Sequence, residues 1–419
     1  MGYVQLGYSP KKHDLVCEFR IDPAKGYTMQ KAAESVASES SVGTWTDVVT
    51  MKPGIMKIAA KVFEIKGHCV RIAYPSDLFE PGNMPQILSS IAGNIFGMKA
   101  VENLRLESIH WPRQLMCSFM GPMFGVPGVR KLLKIRKRPI TGTIVKPKVG
   151  LNETEHAKSA YEAWSGGIDI VKDDENLSDM RFNRFEKRVA ETLKLRDRAE
   201  KETGERKMYM PNVTAETGEM LRRARFVKDH GGEYAMVDII STGWSGLQTL
   251  REENEDLKLV LHAHRAGHAS FTRNRKHGIS MLVVAEAARL VGVDQIHVGT
   301  AVGKMEGSRE EVMEIGEEIE HRIIRGHGHV LSENWGDIKP VFAVCSGGLH
   351  PGLIPKLVSI LGKDIIIQAG GGIWGHPRGG AAGAKAMRQA VDACMEGIDL
   401  KEYAKNNYEL RLALDKWKG

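Results

Sequence analysis

Ile168-Asp169-Ile170-Val171-Lys172-Asp173-Asp174-Glu175 decides how the rest of the chain is read. Its first half has the length and character of a buried parallel strand, and it runs straight into four ionisable residues. Side chains alternate faces along a strand, so Lys172 and Asp174 are expected on one side, with Glu175 at the exit where the backbone turns. One ammonium beside two carboxylates can be a plain ion pair. Burying unpaired charge costs several kcal/mol, however, and a strand end packed with charge is where an α/β enzyme keeps its chemistry.

Outward from this stretch, an apolar run followed by an amphipathic one recurs about every 30 residues from Pro139 onward, the size of one βα unit. The strand candidates are 139–148, 168–175, 207–215, 234–242, 258–266, 294–299, 340–346 and 365–370. Between them lie helical patterns such as Ala157, Ala160, Tyr161 and Trp164, and the run Leu282 to Leu290 closed by Gly292. Eight such units predict an α/β fold closed as a (β/α)8 TIM barrel. Residues 1–135 break the rhythm, with strand-like stretches at 14–20, 56–66 and 69–74 and helical ones at 28–39 and 84–93. They predict a smaller N-terminal α+β domain, followed by the barrel over 136–419, with Gly121-Pro122 and the Gly125 to Arg130 region as the connection.

The composition, 42% hydrophobic and 26% charged over 419 residues, is that of a globular chain with a large core. A formal charge of +7 favours anionic partners, and because the basic residues read as interleaved with acids, a phosphorylated metabolite fits better than nucleic acid. Cys17, Cys69, Cys117, Cys345 and Cys394 form no CxxC pair, which argues against a disulfide framework or a cysteine-rich zinc site and for a reducing cytoplasm. No apolar segment approaches the roughly 20 residues needed to cross a bilayer, and no signal-peptide core is evident at the N-terminus, so no membrane partner is expected.

In a barrel of this kind the active site is built at the C-terminal strand ends. The expected ends are Lys146-Pro147-Lys148, the acidic cluster, His262-Ala263-His264-Arg265 with His268 beyond, His297, Ser346-Gly347-Gly348 and Gly370-Gly371-Gly372. Each alone has a bland reading as a solvated face, a satisfied core histidine or a flexible turn. Together they occupy six of the eight expected strand ends. The glycine loops after strands seven and eight suit phosphate on exposed backbone N–H groups, and Arg265 with His297 suggests a second anion site, so a bisphosphate is implied. Carboxylates without a usable thiol select Mg2+, and the chemistry they suggest is enolisation or carbon–carbon bond chemistry beside a carbonyl.

These residues closely resemble one family, the large subunit of ribulose-1,5-bisphosphate carboxylase/oxygenase (Rubisco). The matching strings are Glu39-Ser-Ser-Val-Gly-Thr44-Trp45, Gly93-Asn94-Ile95-Phe96-Gly97, Lys146-Pro147-Lys148, Gly166 to Asn176, His262 to Ala266, His297-Val-Gly-Thr, Gly303-Lys304-Met-Glu-Gly307, Ser346-Gly-Gly and Gly370-Gly-Gly. The resemblance runs in order along the whole chain. It implies that Lys172 takes up a non-substrate CO2 as a carbamate and that carbamylated Lys172, Asp174 and Glu175 hold Mg2+. It further implies that the carbamate removes the C3 proton of ribulose 1,5-bisphosphate to give an enediolate. Lys146, helped by Lys148, protonates the product carbanion. His264 contacts the hydroxyls around C3, and Lys304 sits on a mobile lid loop, where its ammonium stabilises the carboxylate formed from CO2.

By the same resemblance Arg265, His268 and His297 serve one phosphate, while Thr44, Trp45, Gly370 and Gly371 serve the other. Ser346, in Ser346-Gly347-Gly348, contacts a hydroxyl. Glu39, Thr44, Trp45 and Asn94 reach the barrel mouth of a neighbouring subunit, so the catalytic unit is a homodimer, open to higher assemblies and without an expected small subunit. O2 competes with CO2. The wording of 46–57 and the short termini resemble the archaeal form III branch, associated with nucleoside salvage or a reductive hexulose-phosphate route. Ala343 and Cys345 depart from the Pro and Ala of many relatives without removing a catalytic group.

Two other readings are weighed. A Rubisco-like enolase or isomerase keeps the metal cluster but replaces several phosphate and lid residues, whereas Lys304, His297, Arg265, Thr44 and Asn94 are all present here. A non-catalytic phosphosugar-binding protein has no need for a lid lysine, a metal cluster and a proton relay together.

Overall fold

Each of the eight expected barrel strands forms, in register with its neighbours. The structure, a computed structural model, describes residues 2–44, 46, 48–302 and 308–417. Trp45 and the Gly303 to Gly307 segment with Lys304 lie outside the described residues. Barrel strands one to eight are Ile140–Ile144, Ile170–Lys172, Met208–Met210, Tyr234–Asp238, Val260–His264, Gln295–Gly299, Phe342–Ser346 and Ile365–Gln368. Their order in the sheet is three, two, one, eight, seven, six, five, four, with every pairing parallel. A parallel bridge between Asn212 and Met236 joins strands three and four, with Met236 N donating to Pro211 O at 2.9 Å and Val213 N to Met236 O at 3.0 Å. The sheet is therefore closed, as the fold class predicted.

Every observed strand lies inside its expected span, and most spans overrun at the C-terminal side. The reason is local. Past the last paired residue the chain still carries apolar side chains, as at Ile239, but there the backbone has already turned into the next helix, Ile239–Leu257. Good capping fixes the helix starts. Glu153–Ser165 opens on a reciprocal box in which Asn152 accepts from Glu155 N and Glu155 accepts from Asn152 N.

The chain forms two compact units, one of Met1–Gly121, Gly267–Val291 and His321–Ile338, the other of Pro122–Ala266, Gly292–Glu320 and Lys339–Gly419. The second unit is the barrel. Its lower end is filled by one apolar cluster in which Ile140, Ile170, Met208, Tyr234, Val260, Phe342 and Ile366 meet Val126, Val129 and Leu133 of the helix Gly125–Leu133. Each such side chain contributes ~1.5–3 kcal/mol by leaving water, so the stretch that reads as a connector is in fact the floor of the barrel. It also departs from the interleaved charge pattern, because Arg130, Lys131, Lys134, Arg136, Lys137 and Arg138 follow one another without an acid. Arg130 and Arg138 are tied down by Asp364 and Asp169.

The first unit is a five-stranded sheet in which Asp14–Pro23 lies between Val101–His110 and Cys69–Pro75, with Lys61–Lys66 on one edge and the short Gly278–Ile279 on the other. Helices Met29–Glu39 and Met84–Ile91 form where expected. Residues 56–60 do not join the strand expected over 56–66, because Ile55–Lys57 closes a 3-10 turn first. Val101–His110 escaped the sequence reading: its alternation is broken by a bulge opposite Glu18 and Phe19, and it buries Arg105 and Ser108 beside Leu104, Leu106 and Ile109. No helix among the described residues is long and apolar enough to cross a membrane.

Candidate active site

Three barrel strands deliver the charged cluster. Strand one ends just before Lys146, whose Nζ donates to Asp174 Oδ2 at 2.6 Å. Strand two ends on Lys172, which is 1% exposed and whose Nζ donates to the Asp173 carbonyl at 2.8 Å and lies 3.4 Å from Glu175 Oε2. Strand five ends on His264, with Nε2 at 3.5 Å from Glu175 Oε2 and Nδ1 at 2.6 Å from Asp238 Oδ1. Lys146, Lys172, Asp174, Glu175 and His264 are thus one connected group, as their strand-end positions predict. Gly370, at the end of strand eight, would place any Cβ 3.2 Å from Lys146 Cε, so a side chain there crowds the lysine.

The electrostatics follow from burial set against neighbours. Burial lowers the Lys172 ammonium below its ordinary value, although Glu175, Asp174 and Asp238 oppose the shift. Burial works against the charge on Asp174, but hydrogen bonds from Lys146 and Asn176 outweigh it and hold the carboxyl below its ordinary value. Glu175 is held low in the same way by Lys172 and His264 against the same penalty.

Asp173 does not belong to this group. Its carboxylate turns away into the barrel wall, where it accepts from Arg188 Nε at 3.1 Å, Tyr209 OH at 2.6 Å and Asn212 N at 3.0 Å, with His156 Nε2 at 3.0 Å. Burial opposes its charge, yet Arg188 and His156 overcome that and hold it far below the carboxylate range. Of four adjacent ionisable residues, three face the mouth and one holds the wall.

Around the cluster, the barrel strands carry more of the expected residues. His297 Nδ1 lies 2.7 Å from Ser346 Oγ, and its Nε2 lies 2.9 Å from His262 Nε2. Both of its ring nitrogens are therefore engaged within the protein. Arg265 passes over Gly299, where an added Cβ would come within 3.0 Å of its guanidinium, and burial pushes its pKa down to about 10, still cationic at neutral pH. Gly347 and Gly348 follow strand seven with φ of +113° and +69°, a backbone that other residues rarely adopt. Lys148 is exposed beyond strand one. Glu39, Thr44, Asn94 and His268 lie in the first unit: Glu39 ends the helix Met29–Glu39, Thr44 and Asn94 are exposed, and His268 Nδ1 meets Thr272 Oγ1 at 2.8 Å.

Sequence reasoning missed Asp238, which orients His264, and Asn176, which caps Asp174. Asp238 had a signal: it is the last residue of strand four, and its partner sits at the end of the strand beside it.

With this geometry in place, likeness to known proteins separates the readings. Residues 125–417 match the ribulose bisphosphate carboxylase large chain, catalytic domain, and residues 2–115 match its N-terminal domain. The chain belongs to this family. It is 53% identical to the ribulose bisphosphate carboxylase of Methanosarcina mazei over 421 residues, covering 99% of this chain and 98% of that one. Among solved structures it resembles the dimeric archaeal Rubisco of Hyperthermus butylicus, with a TM-score of 0.94 at 47% identity, covering 99% of this chain and 98% of that one. The octameric ribulose-1,5-bisphosphate carboxylase/oxygenase of Pyrococcus horikoshii gives 0.92 at 49% identity, over 99% and 96%. Membership in the Rubisco family across both domains makes the chain an enzyme of the carboxylase class, and the relatives named above are archaeal.

Proposed function

We propose that this chain is a Mg2+-dependent ribulose-1,5-bisphosphate carboxylase that converts the bisphosphate, CO2 and water to two molecules of 3-phosphoglycerate, with O2 as a competing substrate. The observation that carries the reading is the connected group Lys146, Asp174, Lys172, Glu175 and His264 at the C-terminal strand ends of a Rubisco-family barrel. Residues 136–419 are assigned the chemistry.

The donor set fits the metal in one particular way. Asp174 and Glu175 offer hard oxygens, and among the described residues no group of three His, Cys, Asp or Glu side chains is placed to hold a metal. A third oxygen donor has to be made. Carbamylation of Lys172 makes it, and burial that favours the neutral amine favours attack on CO2. Held by carbamylated Lys172, Asp174 and Glu175, Mg2+ would supply Lewis-acid polarisation of the substrate's oxygens.

The protein's own groups then have assignable tasks. Lys172, once carbamylated, would be the residue to take the C3 proton. His264, fixed by Asp238, contacts the C3 hydroxyl region. Lys146, beside Asp174, returns a proton to the product carbanion, helped by Lys148. Arg265 clamps one phosphate, and Gly370 with Gly371 receives the other on backbone N–H groups. Lys304 is assigned to the lid, Glu39 to the catalytic set, and Thr44, Trp45, Asn94 and His268 to substrate contacts, with the N-terminal residues serving a partner subunit of a homodimer.

The test is fixation of labelled CO2 into 3-phosphoglycerate, with and without preincubation in bicarbonate and Mg2+. We expect turnover that needs both additives. Product formed without either contradicts the carbamate, while isomerisation of the sugar without fixation supports a Rubisco-like enolase instead.

A further inference from the structure

Under the barrel floor, the loop that joins the helix Gly125–Leu133 to strand one is wrapped around a single guanidinium. Arg130 donates through Nη1 to the carbonyls of Ile135 and Arg138, both at 3.1 Å, and through Nη2 to the Lys363 carbonyl at 2.8 Å, while Asp364 balances its charge. Lys134 leaves the helix in the left-handed region, with φ of +59°, where residues that carry a side chain are uncommon. This frame carries Lys131, Lys134, Arg136 and Lys137. All four are exposed, and among the described residues none of their side chains has a hydrogen bond or an ion pair.

Two adjoining cavities open against these cations. One, of about 640 Å³, is lined by Pro127, Arg130, Lys131, Lys134 and Arg136, with no acid among the described residues. Lys134 and Arg136 also line the second, of about 620 Å³, together with Lys137, the apolar Leu133, Ile135 and Met395, and the exposed Glu396. Most other charges there are already matched, Arg138 by Asp169, Arg388 by Glu205 and Asp392, and Arg206 by Glu200. Each volume lies in the ordinary range for a small ligand, roughly 300–1,000 Å³. Cations at a helix C-terminus answer its dipole, which accounts for Lys131 and Lys134 but not for Arg136 and Lys137, past the last turn. Four unmatched like charges on one fixed frame repel one another until an anion settles among them.

We propose that this groove binds a nucleoside triphosphate, its phosphates against Lys131, Lys134 and Arg136 and its base in the second cavity, at the end of the barrel opposite the strand-end mouth. A short row of cations without an acid suits a short row of phosphates. The second cavity supplies apolar surface for a planar base and, in Glu396, a carboxylate that can accept from an exocyclic amine. A nucleic-acid strand fits poorly, because the acids of the second cavity would face its further phosphates and no aromatic side chain among the described residues lines either cavity for stacking.

Isothermal titration calorimetry of the whole chain with ATP tests this. We expect one saturable site per chain. Lys134→Gln with Arg136→Gln, both at exposed positions, is expected to weaken it by about tenfold or more, through the loss of two charge-assisted contacts. Arg265→Ala, at the mouth, is expected to leave the affinity for ATP unchanged. Inorganic tripolyphosphate should bind about tenfold more weakly than ATP, for want of a base to bury. If the double variant does not fold, Lys131→Gln carries the same comparison. Absence of saturable binding, equal affinity in the floor variants, or binding lost in Arg265→Ala overturns the site. Tripolyphosphate bound as tightly as ATP overturns the nucleoside.

Discussion

Asp173 and Asp174 are neighbours with opposite duties, and substitution should separate them. Asp173→Asn leaves the Arg188 guanidinium, 0% exposed, without its countercharge, and we expect a loss of about 3–5 kcal/mol of stability, read as a large fall in Tm. Asp174→Asn should cost less stability than Asp173→Asn, because its partner Lys146 stays part-exposed to water, while removing carboxylase activity. The pH response has the matching sign. The carboxyls of Asp169 and Asp173 are both held below their unfolded values, so their contribution is complete above the ordinary carboxylate range and is lost as pH falls through their folded values. Acid unfolding followed by circular dichroism should be shallower in Asp173→Asn. For Lys172 the lowered ammonium means that CO2 uptake by the metal-free protein, which releases a proton as the carbamate forms, should rise with pH and, at the same dissolved CO2, reach half-maximum below the midpoint of an exposed lysine. A midpoint at or above it would show that burial does not activate the amine. At this scale the mouth was legible because strand ends concentrate reactive residue types. The partners that orient them were not, since Asp238 and His262 meet their targets only after separate strands pair.

At the scale of elements, the period of the apolar runs located every barrel strand, while the ends of the strands were set by pairing that no single stretch encodes. Asp294 shows why. It lies just before strand six and accepts from the backbone of Phe124, Gly125 and Leu261, tying the floor helix to two strands. Nothing in the sequence around it announces three distant donors. The strand Val101–His110 stayed hidden for a related reason, because Arg105 in its middle is buried and satisfied by the carbonyls of Thr272 and Asn274. The turn that closes strand six gives a prediction of its own. Gly299 has a φ of +102° and lies under Arg265, so Gly299→Ala strains the backbone and displaces the guanidinium. We expect KM for the bisphosphate to rise several-fold with a cost of about 1–3 kcal/mol in stability, measured by steady-state kinetics and thermal melting. An unchanged KM would remove Arg265 from the phosphate site.

For the whole molecule, the dimer and octamer of the solved relatives frame the expected assembly. If Asn94 serves a partner's barrel, subunits carrying Lys172→Met and subunits carrying Asn94→Ala should each be inactive alone and recover activity when co-assembled. Half of randomly formed dimers are mixed and each holds one intact site, so recovery should approach about a quarter of the wild-type rate. No recovery would place each complete site within one subunit.

The piecewise make-up of the first unit bears on its synthesis. Gly278–Ile279 and the helix Met281–Val291, which finish the side of the sheet formed by Val101–His110, come from chain that follows barrel strand five. From His110 to Gly278 is 168 residues (278 − 110), so a ribosome adding about 5–20 residues per second leaves that flank open for on the order of ten to thirty seconds. Throughout that interval the nascent chain carries an unfinished apolar edge, and a message cut short in the barrel yields a sticky fragment rather than a free-standing small domain.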